Sequence, residues 1–585
     1  MSDSHNSRVN NNRKTAASRR GFLKAGAAPL AAAAIGAGPA AEMLSGQAAL
    51  PPDPVLHLTN GAIHTMDAGG SVTGTTTGTL ANSITIRNGR IIAINAPTPT
   101  GPGVRVIDLG GRTVLPGLIE PHVHIVSLAN RPGYHTILEN TTSIRDIQQT
   151  LAERRKNVPE GQWITSMGGF HPNQWAEHRQ PTLEELDEAV PDRPVLIYER
   201  FTGPCSTNSL GKAYFDSIDA GPKPHPAYKP VNVADNGSIA PAGFVGGGPS
   251  ASALYLLRTM QTFEDKKRST RDCMRYSAEL GLTAHLDQVL FPTPGPLNPG
   301  QILSNLDQYT MYDSWLALHA DGETIVRLEM NFLSNQADPA LPELKERLRN
   351  QFQFFGDDMM RTGSIGEWAA PLNSGAVWQE AQRLVAEAQW RNENSVHDIA
   401  GLTQVVDAWE PLDKQYGIEG LRWCVHHCDV VTPELLTRLD AMGCGVQMAA
   451  FNWVTSNDPN KVAGAPFRTI VDHPIKAAIH GDGVHIAPLN PWSHIQYAIT
   501  GLNSFGQQVN PGQHLTREEA IRTFTRENSW YLRMEDRIGS LELGKLADLV
   551  VLDRDYFTIP ESQIRDIRSV LTIVDGDIVH DAGVL

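Results

Sequence analysis

Residues 114–126 read VLPGLIEPHVHIV, an apolar run that ends in a His-x-His pair, His122 and His124. Alternate side chains on a strand point to one side, so both imidazoles can face the same metal ion. Two later stretches repeat the form. SVHDIAG (395–401) places His397 at a predicted strand end, and RWCVHHCDVVTPELL (422–436) places His426 and His427 at the next. Histidines thus fall at the C-terminal ends of successive predicted strands, where an α/β barrel keeps its active site.

Between about 115 and 530, helical stretches such as PTLEELDEAV (181–190), PELKERLRN (342–350) and VWQEAQRLVAEAQW (377–390) alternate with short apolar strands. That alternation implies βα units and a parallel sheet. The two ends of the chain have another texture. VLHLTNGAIHTM (55–66), SITIRNGRIIAI (83–94) and RVIDLGGRTVLPG (105–117) are β-branched runs broken by Asn-Gly or Gly-Gly turns, and ADLVVLDRDYF (547–557) and SVLTIVDGDIVHD (569–581) match them. The ends are expected to build one small antiparallel domain together. Segments 221–249 and 291–300 are rich in Pro and Gly and read as long surface loops that can cover a site.

The chain has 585 residues, 41% hydrophobic and 19% charged, which excludes a disordered or collagenous protein and a lone small module. Its formal net charge of −15 argues against nucleic acid as the main partner, because phosphate binding needs clustered Lys and Arg. A small neutral or cationic molecule is easier to accommodate. Five cysteines are too few for a disulfide framework and are read as mostly buried thiols.

Arg8, Arg13, Lys14, Arg19 and Arg20 precede an uncharged Ala/Gly/Pro/Leu run, and SRRGFLK (18–24) resembles the twin-arginine export motif. Residues 1–49 are therefore expected to be a signal peptide handled by the twin-arginine machinery, with the mature protein periplasmic or extracellular. The run is too short and too weakly apolar for a membrane span, and no later segment is long enough to insert stably.

Taken together, TNGAIHTMD (59–67), IRNGRIIAI (86–94), LPGLIEPHVH (115–124), ELDEAVPDRPV (185–195), GLTAHLDQV (281–289), HHCDVVTPELL (426–436), DHPIKAAIHGDGV (472–484) and RIGSLELGKLADLVVLDRD (537–555) carry a family resemblance across nearly all of the mature chain. The chain resembles the metal-dependent amidohydrolase superfamily, and within it the YtcJ-like and N-substituted formamide deformylase branch. That resemblance implies an α/β fold: a (β/α)8 TIM barrel over 115–530 with a small β-sandwich formed from 50–114 and 531–585. It also implies a divalent metal cofactor, zinc before Mn, Fe or Co, with one ion favoured over two.

Position by position, the resemblance makes His122 and His124 the strand-one metal pair, His397 the strand-five ligand and His427 the strand-six ligand. Asp358, in FFGDDMMRTGS (354–364), best matches the strand-four carbamylated lysine, and Asn490, in VHIAPLNPW (484–492), the strand-eight aspartate. The Asp-Gly-His stretch of the branch corresponds to FTGPC (201–205), and His426 stands where the branch usually has Glu. An amide cannot act as the base for a metal-bound water, so His426, Asp429 or His494 would have to serve, while Asp358 could bridge two metals. Trp175, Trp368, Phe451, Trp453 and Trp492 fall near predicted strand ends and suit an aryl or apolar part of a substrate.

The leading expectation is an exported hydrolase of a non-peptide carbon–nitrogen bond in a small molecule: an amide, formamide, carbamate or cyclic amide. Two alternatives stay open. One is a deaminase or an ester or lactone hydrolase on the same barrel; the other is a metal- or ligand-binding protein that has lost catalysis, suggested by Asn490. Association into a homo-oligomer is compatible with the sequence.

Overall fold

The structure is a computed structural model. It describes residues 54–67, 77–200, 203–241, 248–288, 310–334, 337–455, 464–484 and 486–584. The proposed export signal, the whole of the expected loop at 291–300 and part of the FTGPC stretch lie outside these residues.

Eight parallel strands form the centre, all with their C-terminal ends on one side: β1 (Leu118–Val123), β2 (Leu282–Asp287), β3 (Arg327–Phe332), β4 (Met360–Ile365), β5 (Glu393–Val396), β6 (Cys424–His427), β7 (Gly445–Ala449) and β8 (Lys476–His480). They pair in sequence order as two four-stranded runs, β1 to β4 and β5 to β8. A parallel bridge between Ile365 and Asn392 joins the runs. On the other side β8 lies beside β1, and the Asn528 side chain donates to the carbonyls of Ile119 (2.7 Å) and Ile479 (3.1 Å). One buried amide thus satisfies two backbone acceptors at the junction, a role no apolar residue could fill.

Helices that follow the strands begin at residues suited to capping. Thr262 caps Phe263–Leu280 in a reciprocal box with Asp265, Asp398 caps Ile399–Tyr416, and Thr432 caps Pro433–Ala441. Each side chain satisfies an amide that the first helical turn leaves free. The first of these helices ends at Gly281 in the left-handed region (φ 85°), and the chain enters β2 at once. A Cβ at Gly281 would fall 2.8 Å from Val550, so glycine serves the turn and the close approach together.

Strands from both chain ends form a six-stranded sheet in the order Asp577–Asp581, Ser569–Val574, Leu549–Leu552, Thr113–Pro116, Ala62–His64, Leu80–Ala81. A four-stranded sheet of N-terminal strands packs near it, and Leu58, Ile84, Val114, Leu549 and Leu571 share one apolar core. The sheets are mixed rather than antiparallel: Val55–Thr59 runs parallel to Val104–Asp108, and Ala62–His64 parallel to Thr113–Pro116. A feature not expected from the sequence separates β1 from β2. Tyr134–His135, Ile164–Met167, Val195–Tyr198, Cys205–Thr207 and Ser238–Ile239 build a five-stranded sheet of their own, with separate apolar clusters on its faces. Alternating helices and strands look alike whether they belong to a central sheet or to an insertion.

Candidate metal centre

The C-terminal ends of the parallel strands converge on a group of buried histidines and carboxylates. His122 is the last residue but one of β1 and His124 follows the strand; Glu367 follows β4; His427 ends β6; Asp482 follows β8. Ligand-type atoms of His122, His124 and Glu367 lie within 4.8 Å of one another, and so do those of His122, His427 and Asp482. Because His122 belongs to both sets, the five side chains form one cluster.

Local structure fixes each group. The His124 Nδ1 hydrogen-bonds the carbonyl of Gln288, its amide donates to Gly483 O at 2.6 Å, and its Nε2 faces Asp482 Oδ1 at 3.0 Å. Asp287 at the end of β2 accepts from the Val126 amide (2.9 Å) and the Tyr312 hydroxyl (2.7 Å), holding the short helix Ile125–Ala129 behind His124. His122 Nε2 stands 3.4 Å from Asp482 Oδ1. Glu367 Oε1 accepts from Ser395 Oγ at 2.5 Å and lies 3.3 Å from His427 Nε2. Glu120 spans the junction of first and last strands, accepting the amides of His122 (3.3 Å) and Gly481 (3.1 Å). His427 has φ 67° and Asp482 φ 51°, left-handed conformations that cost non-glycine residues free energy and tend to gather at functional sites.

The electrostatics separate acids from bases. Burial opposes the charge on Asp482, but hydrogen bonding and the positive field of His122 and His124 hold its carboxyl well below the usual range. Burial likewise opposes Glu367, which contact with His427 and the field of His122 bring down to about 2. Burial would lower His124, yet Asp482 raises it to about 9. Burial pushes the Glu120 carboxyl well up, against the lowering effect of the two amides it accepts. His480, at the end of β8 with its ring 4.5 Å from that of His122, is held neutral first by burial and then by its histidine neighbours.

These residues fit a divalent cation. Nδ1 of His427 is buried without a hydrogen-bond partner among the described residues, while Nε2 of His122 and of His124 both converge on Asp482 Oδ1. Buried polar atoms are nearly always satisfied, and imidazole with carboxylate is a donor set suited to zinc and its neighbours.

Of the residues singled out from the sequence, His122, His124 and His427 meet here. His397 comes to the rim: it is exposed, its ring stacks on His427 with centroids 4.6 Å apart, and Asp429 3.5 Å away raises its pKa. His426 is fully buried beneath His122, with one nitrogen 2.8 Å from His122 Nδ1 and the other 2.9 Å from Glu393. Neither nitrogen is open to a water, which removes it as a base.

Two assignments are corrected. Asp358 precedes β4, at the opposite end of the strand from the cluster, and pairs with Arg537. Asn490 caps the helix Pro491–Thr500: its Oδ1 accepts from Trp492 N (3.1 Å), and its Nδ2 donates to Asn140 Oδ1 (3.0 Å) and Arg565 O (3.1 Å). The carboxylates that reach the cluster are Glu367 and Asp482, which the sequence reading missed. A strand-end rule would have found them, since each is the first carboxylate after its strand.

The other groups divide as follows. His494 is committed to the carbonyls of Pro488 (2.9 Å) and Ala450 (3.4 Å), and Asp429 accepts from Asn452 (3.2 Å) besides its contact with His397. Trp175 and Trp492 are core, bonded through their indole nitrogens to Thr141 and Leu280 O. Phe451 packs edge-on against His427 at 5.6 Å, with Trp453 two residues on; Trp368, next to Glu367, is half-buried.

A buried imidazole–carboxylate cluster at the C-terminal ends of eight parallel strands is a candidate metal centre. The family model described as "Amidohydrolase family" matches residues 105–580, and the chain belongs to that family. It is 22% identical over 577 residues to the N-substituted formamide deformylase of Arthrobacter pascens, covering 89% of this chain and 97% of that one. It is 24% identical over 516 residues to the putative amidohydrolase YtcJ of Bacillus subtilis, covering 82% and 91%. In fold it resembles the zinc complex of the atrazine chlorohydrolase TrzN from Arthrobacter aurescens, with a TM-score of 0.52 and 14% identity over 90% of this chain and 95% of that one.

Proposed function

We propose that the protein is a metal-dependent hydrolase of a non-peptide carbon–nitrogen bond in a small molecule, an amide, formamide, carbamate or cyclic amide, built on a closed (β/α)8 barrel. The observation that carries this reading is the cluster of His122, His124, Glu367, His427 and Asp482, in which the buried Nδ1 of His427 has no hydrogen-bond partner among the described residues. These five side chains would hold one divalent ion, zinc being favoured by the donor set and by the zinc-bound neighbour. When bound, such an ion lowers the pKa of a water toward 7 and polarises the substrate carbonyl.

The chain's own residues supply the rest. Asp482, held ionised and 3.0 Å from His124, takes the proton of the attacking water and passes it to the leaving nitrogen. His397, at the rim with a raised pKa, stands where it can meet the substrate or complete the ligand set. Phe451 and Trp453 offer an apolar wall to an aryl or alkyl substituent, in keeping with the substrates named for the deformylase and TrzN. With a carboxylate in the position once given to Asn490, the motive for a non-catalytic protein falls away.

We further propose export of the folded, loaded enzyme through the twin-arginine route, on the strength of residues 18–24, and a division into signal (1–49), composite β-sandwich (50–114 and 531–585) and barrel (115–530). No described helix is long and apolar enough to cross a membrane. The reaction is tested with a panel of N-formyl amines, aryl amides, carbamates and cyclic amides, followed by amine and acid release from zinc-loaded protein. Turnover of one class supports the proposal. Stoichiometric zinc with no turnover of any carbon–nitrogen substrate, but turnover of esters or lactones, contradicts it.

A further inference from the structure

Among the largest side chains buried in the fold are three arginines, Arg131, Arg327 and Arg391. Two of them have a carboxylate. Arg327 lies 2.6 Å from Asp548, and Arg391 lies 2.7 Å from Glu393, which groups with Cys424 and His426. Arg131 has none among the described residues. Its one hydrogen bond there runs from Nη2 to the Val484 carbonyl (3.2 Å), and its Nε is buried with no partner.

Arginine is almost never fully buried unless paired, because its guanidinium keeps its charge. Burial, and then the charge of the neighbouring Arg258, bring Arg131 down to about 9, which still leaves it a cation at neutral pH. Arg258 is buried as well. The acidic groups that act on Arg131 are the Tyr198 hydroxyl and the Cys273 thiol. Burial pushes both up, so neither supplies a counter-charge.

The guanidinium stands beside the metal cluster. Val484 follows Asp482 by two residues, so their Cα atoms are at most about 7 Å apart. Val484 also lines a cavity with Leu128, His135, Glu139, Gly168 and Gly169. His135 feels the field of Arg131, and its Nδ1 is buried with no partner among the described residues. Glu139, the one carboxyl on that wall, is taken by the Tyr276 hydroxyl and the Leu489 amide (2.6 Å). A buried guanidinium and an imidazole nitrogen, both unsatisfied at one cavity, suit a planar carboxylate, whose two oxygens accept from separate donors.

We propose that Arg131 receives the carboxylate of an anionic substrate, so that the bond cut at the metal centre belongs to an N-acyl amino acid or to a cyclic amide bearing a carboxylate. The proposal rests on the hydrolase reading and narrows its substrate class. The net charge of −15 does not oppose it, since net charge describes the whole chain and the subsite is set by two local cations.

The test offers the zinc-loaded full chain amide pairs that differ only in a carboxylate: N-formylleucine against N-formylisoamylamine, and N-acetylleucine against N-acetylisoamylamine. Wild type is expected to show kcat/KM about 10–100-fold higher for the carboxylate member, and Arg131→Gln to bring that ratio close to one through KM. Equal or inverse preference in wild type overturns the proposal. So does a ratio unchanged in Arg131→Gln, the mark of an arginine that only supports the fold.

Binding is read apart from turnover by calorimetry with ketone isosteres of the acetyl pair, in which CH2 replaces the amide NH and nothing can be cleaved. Tighter binding of the carboxylate isostere without turnover of any amide upholds the subsite and refutes the hydrolase reading. Equal binding of the two isosteres overturns the subsite whether or not amides turn over. Inorganic phosphate that binds wild type but not Arg131→Gln, with no preference between the isosteres, marks a site for a free anion and overturns it too. The wild-type comparisons decide the matter even where the variant fails to fold.

Discussion

Asp482 Oδ1 lies 3.0 Å from Nε2 of His124, so the end of the last parallel strand touches the end of the first. The two residues are 358 positions apart in the chain. They meet because β8 lies beside β1, and the proposed chemistry depends on that junction.

Replacing Asp482 by Asn keeps the size and removes the charge. We expect kcat to fall by about 10²–10⁴-fold, as loss of a general base does. The folded structure should survive, because Asn can still accept a hydrogen bond from His124. Circular dichroism beside steady-state kinetics checks this; activity within a few fold of wild type would show that the proton goes elsewhere.

His122→Ala should abolish metal binding and activity together. His122 belongs to both overlapping ligand sets and joins them. Elemental analysis of the purified variant is the measurement, and a normal metal content would mean that the cluster is not the metal site.

Asn490→Asp distinguishes the corrected assignment from the original one. Its amide nitrogen donates to Asn140 Oδ1 and Arg565 O, and a carboxylate there would face two acceptors. The expected result is a loss of about 1–3 kcal/mol in stability with no gain in turnover per folded molecule. A rise in kcat would restore Asn490 to the reaction.

Glu139 should make stability fall as pH rises. Burial pushes its carboxyl up to about 7, against a model-compound value of 4.5, despite bonds from the Tyr276 hydroxyl and the Leu489 amide. The folded chain keeps the proton where the unfolded chain has lost it. The contribution is full below about pH 4.5 and is lost as pH rises through about 7, a change of about 3 kcal/mol. Thermal melts of wild type and Glu139→Gln over that window should converge or cross, and parallel curves would refute the shift.

How much was legible follows from what each feature depends on. The His-x-His pair on β1 and the histidine closing β6 could be read because strand periodicity and strand ends are local properties. The joining of the chain ends was visible in turn chemistry, Asn-Gly and Asp-Gly between β-branched runs. Asp482 and Glu367 were missed through a slip along the chain: eight residues separate Asp482 from Asn490, and Asp358 lies before its strand rather than after it. A matching residue type nearby is weaker guidance than which end of the strand it occupies. His426 was singled out as a base but lies beneath His122 for another reason, since adjacent histidines on a strand face opposite sides and nothing local says which side is the site. The five-stranded insertion was hidden because its helices and strands alternate as those of the central sheet do.

The most direct test is anomalous diffraction at the zinc edge from crystals of the zinc-loaded enzyme. The account expects one peak with His122 and His124 and at least one carboxylate, Asp482 or Glu367, at about 2.0–2.2 Å. A peak at Glu393, Cys424 and His426, or none near His122, would contradict it.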